Sequence, residues 1–196
     1  MFQVRLHGRG GQGVVTAAEL LSIAAFDEGR HAQAFPSFGS ERMGAPVIAY
    51  CRIDDKPIRL REPVVKPDAL IIQDPTLLHQ VDLFNGLAAD GYLVINSSRD
   101  AQALGIADFA DKFPAGHVCI LGATEIALKH VGRPLPNAVL LGAFAAVSGQ
   151  LHFDSVAKSI RSRFPAKLGD ANVAAAEAAH ALAVAMVKEA THAQAN

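Results

Sequence analysis

The feature that most constrains this chain is a run of six residues near its start, Gly8-Arg9-Gly10-Gly11-Gln12-Gly13. It follows a strand-like alternation over residues 2–7. It precedes residues 14–29, where Leu20, Leu21, Ala24 and Ala25 share one face at helical spacing. Strand, tight turn and helix are expected in that order. Gly8, Gly10 and Gly13 form the pattern Gly-x-Gly-x-x-Gly. Residues without Cβ let the backbone turn sharply and let a phosphate approach the free amides at a helix N-terminus, where the dipole favours negative charge. The alternative is a turn that only joins strand to helix.

A dinucleotide site of this kind ends its second strand in an acid that receives the ribose hydroxyls. Here the second extended stretch reads His31-Ala32-Gln33-Ala34-Phe35-Pro36, and the nearest acids, Asp27 and Glu28, fall in the end of the preceding helix. The phosphate half of the fingerprint stands without the ribose half. A free-standing Rossmann-type NAD(P)- or flavin-dependent oxidoreductase is therefore the second reading. The Gly-Lys-Ser/Thr ending of a P-loop is absent, which argues against nucleoside triphosphate hydrolysis.

Beyond the turn, a β-rich run covers residues 45–53, and Asp54-Asp55 is expected to turn the chain into residues 56–60. Residues 69–73 and 91–96 read as buried strands and residues 117–121 as a weaker one. Asp74-Pro75 reads as a cap and first helical position. Helices are expected near 124–130, 137–148, 155–164 and 172–190. Short buried strands alternating with helices predict an α/β, Rossmann-like fold, with a mainly parallel sheet and helices on both faces.

With 196 residues, 51% of them hydrophobic, the chain has material for one core, so a single domain over 1–191 is expected, with a frayed tail at 192–196. Eighteen basic residues against 19 acidic ones leave no field for a polyanion, and no local run of Lys or Arg supplies one, so nucleic acid is not an expected partner. No basic segment leads into an apolar signal core and no apolar run approaches about 18 residues. The expected location is the cytoplasm, with no membrane contact. Cys51 and Cys119 lie apart in apolar runs and read as buried thiols in a reducing compartment, too few for a four-cysteine iron-sulfur cluster.

The eight histidines show no metal-ligand spacing, and His7, which directly precedes the glycine turn, reads as an ordinary strand-end residue. Ser155 and Lys158 have the Ser-x-x-Lys spacing of some acyl enzymes, but on a basic, solvated helix start they read as a cap and a surface charge. Gly169-Asp170-Ala171-Asn172 matches only a fragment of the thiamine diphosphate motif. The last helix carries no formal charge from Ala178 to Val187, so it is expected to pack on the core or on a partner subunit.

Gly8 to Glu19, followed by Gln33-Ala34-Phe35-Pro36-Ser37-Phe38-Gly39-Ser40-Glu41-Arg42-Met43-Gly44-Ala45-Pro46-Val47, resembles the gamma subunit of the 2-oxoacid:acceptor oxidoreductases of the pyruvate:ferredoxin type. The likeness continues through Asp68 to Asp74, Gly91 to Asn96 and Leu135 to Ala143. It implies a non-catalytic component of a multisubunit enzyme that oxidatively decarboxylates a 2-oxoacid to an acyl-CoA. By the same resemblance, alpha and beta partners hold thiamine diphosphate and Mg, and 4Fe-4S clusters lie on a beta or ferredoxin-like delta chain. This chain binds none of these alone and presents a surface to coenzyme A. The expected coenzyme A contacts are Gly8, Arg9, Gly10, Gly11 and Gln12, with Ser40 and Arg42 reaching phosphate oxygens. Asn137 is expected either to cap its helix or to reach the ligand. Glu41, beside Arg42, departs from the lysines that single-chain relatives carry in this loop.

Overall fold

A computed structural model describes residues 1–37 and 43–194. Six strands form one sheet in the order β2-β3-β1-β4-β5-β6. These are β1 Phe2–Arg9, β2 His31–Pro36, β3 Pro46–Asp54, β4 Ala69–Ile72, β5 Tyr92–Asn96 and β6 Val118–Leu121. The pairings β1·β4, β4·β5 and β5·β6 are parallel, whereas β3 is antiparallel to both of its neighbours. β3 thus runs against the other strands, and the sheet is mainly parallel as the sequence predicts.

Period-two alternation decides which side chains face which layer. Val4 and Leu6 of β1, Ala49, Cys51 and Ile53 of β3, and Ile71 and Val94 face one side, where they pack with α1 Val14–Asp27, α3 Ala123–Val131, α4 Asn137–Ser148, α5 Phe153–Arg163 and α6 Ala166–Gln194. The other face, with Leu70, Ile72, Leu93 and Ile95, is covered more thinly. Leu77 of the 3-10 turn Pro75–His79, Phe109 of the one-turn helix α2 Ala107–Ala110, and the loop residues Leu83 and Leu104 pack there. Helical structure does cover both faces, but the long helices all lie on one.

Residues 56–60 add no strand. β3 is already paired on both edges, and Pro57 removes a backbone donor from the segment. The turn before it is present, with Asp54 Oδ1 accepting from the amides of Asp55 and Lys56 at 2.8 and 3.3 Å. α6 begins earlier than residue 172 and carries through residues 192–194; residues 195 and 196 lie outside the described residues.

The chain leaves β1 through α1 toward β2 on one side, and leaves β4 toward β5 on the other. The carboxyl ends of the adjacent strands β1 and β4 therefore diverge. Such a switch point opens a crevice at the end of the sheet. The glycine turn follows β1 there, and Gln73 and Asp74 follow β4.

α4 and α6 pack backbone against backbone. A methyl at Gly142 would collide with the carbonyl oxygen of Ala176, and Ala138, Ala145, Ala175 and Ala179 keep the rest of the seam thin. Gly142→Leu is expected to cost about 3 kcal/mol or more by overpacking, a fall of roughly 6–12 °C in the unfolding midpoint. Thermal unfolding of the purified chain followed by circular dichroism checks this, and an unchanged midpoint contradicts the tight seam.

Candidate functional site

The glycine turn is fixed by two kinds of contact, one steric and one polar. Gly8 ends the buried part of β1, and a Cβ there would meet Val14 Cγ2 at 2.6 Å and Gln73 Cβ at 3.2 Å. Gly8 is therefore needed for packing beneath the turn. Gly11 and Gly13 have φ of 94° and 72°, a region that side-chain-bearing residues avoid.

The polar contacts converge on Asp74. Its carboxylate accepts from Arg9 Nε at 3.1 Å and Gln12 Nε2 at 2.9 Å on one oxygen, and from the Thr76 amide and hydroxyl on the other. Gln12 Oε1 in turn accepts from the Arg9 amide at 2.8 Å. Arg9 also donates to Gly44 O, Thr76 Oγ1 and Gln80 Oε1. Burial pushes the Asp74 carboxyl up, but the hydrogen bonds from Thr76 and Gln12 and the charge of Arg9 outweigh it and hold the group below its usual range.

These bonds decide which groups stay free. The Gly10 amide donates to Ala45 O at 2.9 Å and the Gln12 amide to Arg9 O at 3.0 Å, while Gly44 N donates to Gly10 O at 3.1 Å. The Gln12 side chain, expected to face a ligand, is turned under the loop with both polar atoms in use. The first amides of α1, from Val14 to Thr16, have no acceptor within the helix, because the first intrahelical bond is Ala17 N to Gly13 O. No side chain caps this helix end. Together with Gly11 and Gly13, these residues line a cleft of about 320 Å3 with Val47 on its wall. Met43 lies beside it, 3.2 Å from where a Gly11 side chain would begin.

Asn137 of α4 packs against Gly13, which lines the cleft. Pro136 holds the N-cap position and no side chain makes a capping bond, so Asn137 is not the cap. It is 5% exposed, its amide packs against Gly13, and its side chain makes no hydrogen bond among the described residues. Sequence reasoning singled out neither Gln73 nor Asn96, and read Asp74 as a cap alone. Gln73 is 1% exposed with both side-chain polar atoms unpartnered, and Asn96 Nδ2 donates to its carbonyl and to Thr124 Oγ1. Their positions at the carboxyl ends of β4 and β5, on one side of the switch point, were the available signal. Ser40 and Arg42 lie outside the described residues.

His7 and the cysteines stand apart from this chemistry. Burial and the neighbouring Arg5 push His7 down to about 3, and its Nε2 accepts from Arg5 Nε at 3.0 Å. Burial pushes both thiols up to about 12, which leaves Cys51 and Cys119 protonated and inert. Among the described residues no group of three His, Cys, Asp or Glu is placed to hold a metal, and no helix is long and apolar enough to cross a membrane.

The family model for pyruvate ferredoxin/flavodoxin oxidoreductase matches residues 3–182. The chain belongs to that family. It is 48% identical to the pyruvate synthase subunit PorC of Methanothermobacter thermautotrophicus, over 92% of this chain and 94% of that one. It is 44% identical to the pyruvate/ketoisovalerate oxidoreductases common subunit gamma of Thermococcus kodakarensis, over 91% and 95%. The crystal structure of the pyruvate oxidoreductase subunit PORC of Thermotoga maritima superposes with a TM-score of 0.76 at 35% identity, covering 92% of this chain and 95% of that one. In this family the chain is a gamma-type component of a 2-oxoacid oxidoreductase complex, and nothing supports a free-standing nicotinamide or flavin enzyme.

Two substitutions test the geometry. Asp74→Asn removes the charge that joins turn and strand end, and is expected to cost about 1–3 kcal/mol in a denaturant titration. A loss within error would show that the bonds are not stabilising. His7 carries a folded pKa near 3 against an ordinary 6.5, so its contribution is present above pH 6.5 and lost as pH falls toward 3. His7→Gln removes that titration. Its stability between about pH 6 and 4 should fall less steeply than that of the wild type, and parallel curves would contradict a neutral buried imidazole.

Proposed function

We propose that this gamma-type subunit binds the phosphate-bearing end of coenzyme A through the amides of its glycine turn and α1, in an enzyme that oxidatively decarboxylates a 2-oxoacid to an acyl-CoA. The observation that carries the reading is one cleft lined by Gly11, Gly13 and Val14 to Thr16, whose amides have no acceptor among the described residues, with the Asn137 side chain, unpaired among those residues, packed against Gly13. Backbone donors at a helix N-terminus suit phosphate, and coenzyme A brings phosphates without requiring the ribose-binding acid of a dinucleotide site. Asn137 adds a neutral donor at the rim, and Ser40 and Arg42 are the further candidates for phosphate oxygens. Gly8, Arg9, Gly10 and Gln12 act by holding the turn in this form.

Thiamine diphosphate with Mg belongs, on this reading, to alpha and beta partners, and 4Fe-4S clusters to a beta or ferredoxin-like delta chain. When bound there, the thiamine supplies the carbanion chemistry. This chain's part is to position the thiol acceptor, and alone it turns over no 2-oxoacid. The enzyme works in the cytoplasm. One relative carries the name of a subunit common to pyruvate and ketoisovalerate oxidoreductases, which supports side-chain selection by other chains.

Gly11 is a poor probe because any side chain at φ 94° is strained whether or not a ligand binds. Asn137→Asp is cleaner, since it keeps the shape and places a carboxylate at a helix N-terminus, where folding tolerates it. In the assembled enzyme it should raise KM for coenzyme A by about tenfold or more through repulsion of phosphate, with little change in KM for the 2-oxoacid. An unchanged KM for coenzyme A in a complex of normal stability would remove the phosphate-binding reading.

A further inference from the structure

The segment between β3 and β4 crosses the polar face of the antiparallel half of the sheet. It is held there by its own carbonyls. Arg52 Nη2 donates to Glu62 O at 2.6 Å, Arg5 Nη1 to Val64 O at 3.4 Å, and Gln3 Nε2 to Lys66 O at 3.2 Å. With these carbonyls turned to the sheet, most of the strap's side chains are exposed, whereas Val64 is buried. Lys56, Arg59, Arg61 and Lys66 are all exposed, and none makes an ion pair among the described residues. Glu62 is the only acid in residues 56–66, so a chain of net charge −1 carries a local excess of three positive charges here. The sequence shows no run of cations, because apolar residues and prolines are interleaved with them.

Two further features mark the strap. A cleft of about 310 Å3 opens between Gln3, Arg52 and the strap, with Leu60 and Val65 on its walls, 41% and 70% exposed. Its floor is Arg52, a cation only 1% exposed whose Nη1 has no hydrogen-bond partner, although its guanidinium carbon lies 5.2 Å from the centre of the Phe35 ring. The Glu62 charge acts on Arg52 without forming an ion pair among the described residues, and a buried cation so placed gains from a further negative charge.

We propose that residues 56–66 are the docking surface for an acidic segment of a companion subunit of the oxidoreductase complex. Carboxylates on that segment pair with Lys56, Arg59, Arg61 and Lys66, one apolar side chain enters between Leu60 and Val65, and the Arg52 charge favours the negative partner from below. Charge complementarity selects the partner. The chain is too neutral overall for a polynucleotide, and the exposed apolar residues between the cations suit a peptide chain.

The test uses the full chain with Lys56→Glu, Arg59→Glu, Arg61→Glu and Lys66→Glu combined, assembled with its companion subunits and followed by size-exclusion chromatography and native mass spectrometry. Association is expected to weaken at least tenfold at about 0.1 M salt, with the difference from wild type narrowing at about 0.5 M. The isolated variant should unfold within a few degrees of wild type. In the wild-type complex, carbodiimide should join Lys56 or Lys66 to an Asp or Glu of a companion chain. If the fourfold variant fails to fold, Arg59→Glu with Arg61→Glu carries the same comparison. Undiminished assembly overturns the proposal, as do cross-links confined to this chain or to a free electron carrier. Failure here is distinct from failure of the coenzyme A reading, because the strap variant leaves KM for coenzyme A unchanged in whatever complex assembles.

Discussion

The Asp74 carboxylate is the contact on which the site's form depends. It accepts from Arg9 and Gln12 of the turn and from Thr76 of its own helical turn, so it joins the ends of β1 and β4 across the crevice that the topology opens between them. That bridge adds a side-chain anchor to the backbone bonds that join Gly10 to Ala45 and Gly44. With it, Gln12 and Arg9 are spent on the loop's own support, and the amides of Gly11 and of the first turn of α1 are left facing the cleft. The glycines then have separate duties. Gly8 admits the packing of Val14 and Gln73, Gly11 and Gly13 accept the left-handed backbone, and Gly13 leaves room for Asn137.

A second polar system does for the antiparallel half of the sheet what the long helices do for the other face. Arg5 is buried and sends its guanidinium to His7 Nε2, Leu83 O, Asn85 O and, at longer range, Val64 O. One side chain thereby ties the strap after β3 and the loop after the 3-10 turn to β1. A cation can satisfy carbonyls that no strand reaches, which is how this thinly covered face remains closed without long helices. Burial and the Arg5 charge lower the His7 pKa, and the neutral ring so favoured is the form that accepts from Arg5.

Much of this was legible in the sequence. The strand, turn and helix from Phe2 to Asp27 follow from the glycines and the change of hydrophobic period, and α4 falls where the apolar run 137–148 places it. The uneven covering of the sheet was not legible, because alternation shows that a face is buried without showing what buries it. The start of α6 at Ala166 was hidden by Gly169, which reads as a breaker but is required where a side chain would crowd Phe164 O at 2.8 Å. Asp74 was visible as a cap. Its larger role depends on a contact 62 residues away in the chain, with Gln12, and no local pattern carries that.

The same limit explains why motif reading placed the Gln12 side chain differently from the structure and left Asn137 open between cap and ligand contact. A motif gives residue types and spacing, and from these a polar side chain in a glycine turn looks like a ligand and an Asn at a helix start looks like a cap. Which role a polar side chain takes depends on which donors the fold has already satisfied. Gln12 finds Arg9 N and Asp74 within reach and turns inward, whereas Asn137 lies inside the helix start, finds neither, and remains unpaired among the described residues beside Gly13. The polar group that stays unsatisfied after folding is the one with bonding capacity left for a ligand. For that reason the weight of the candidate site moves from the turn's side chains to its amides and to α4.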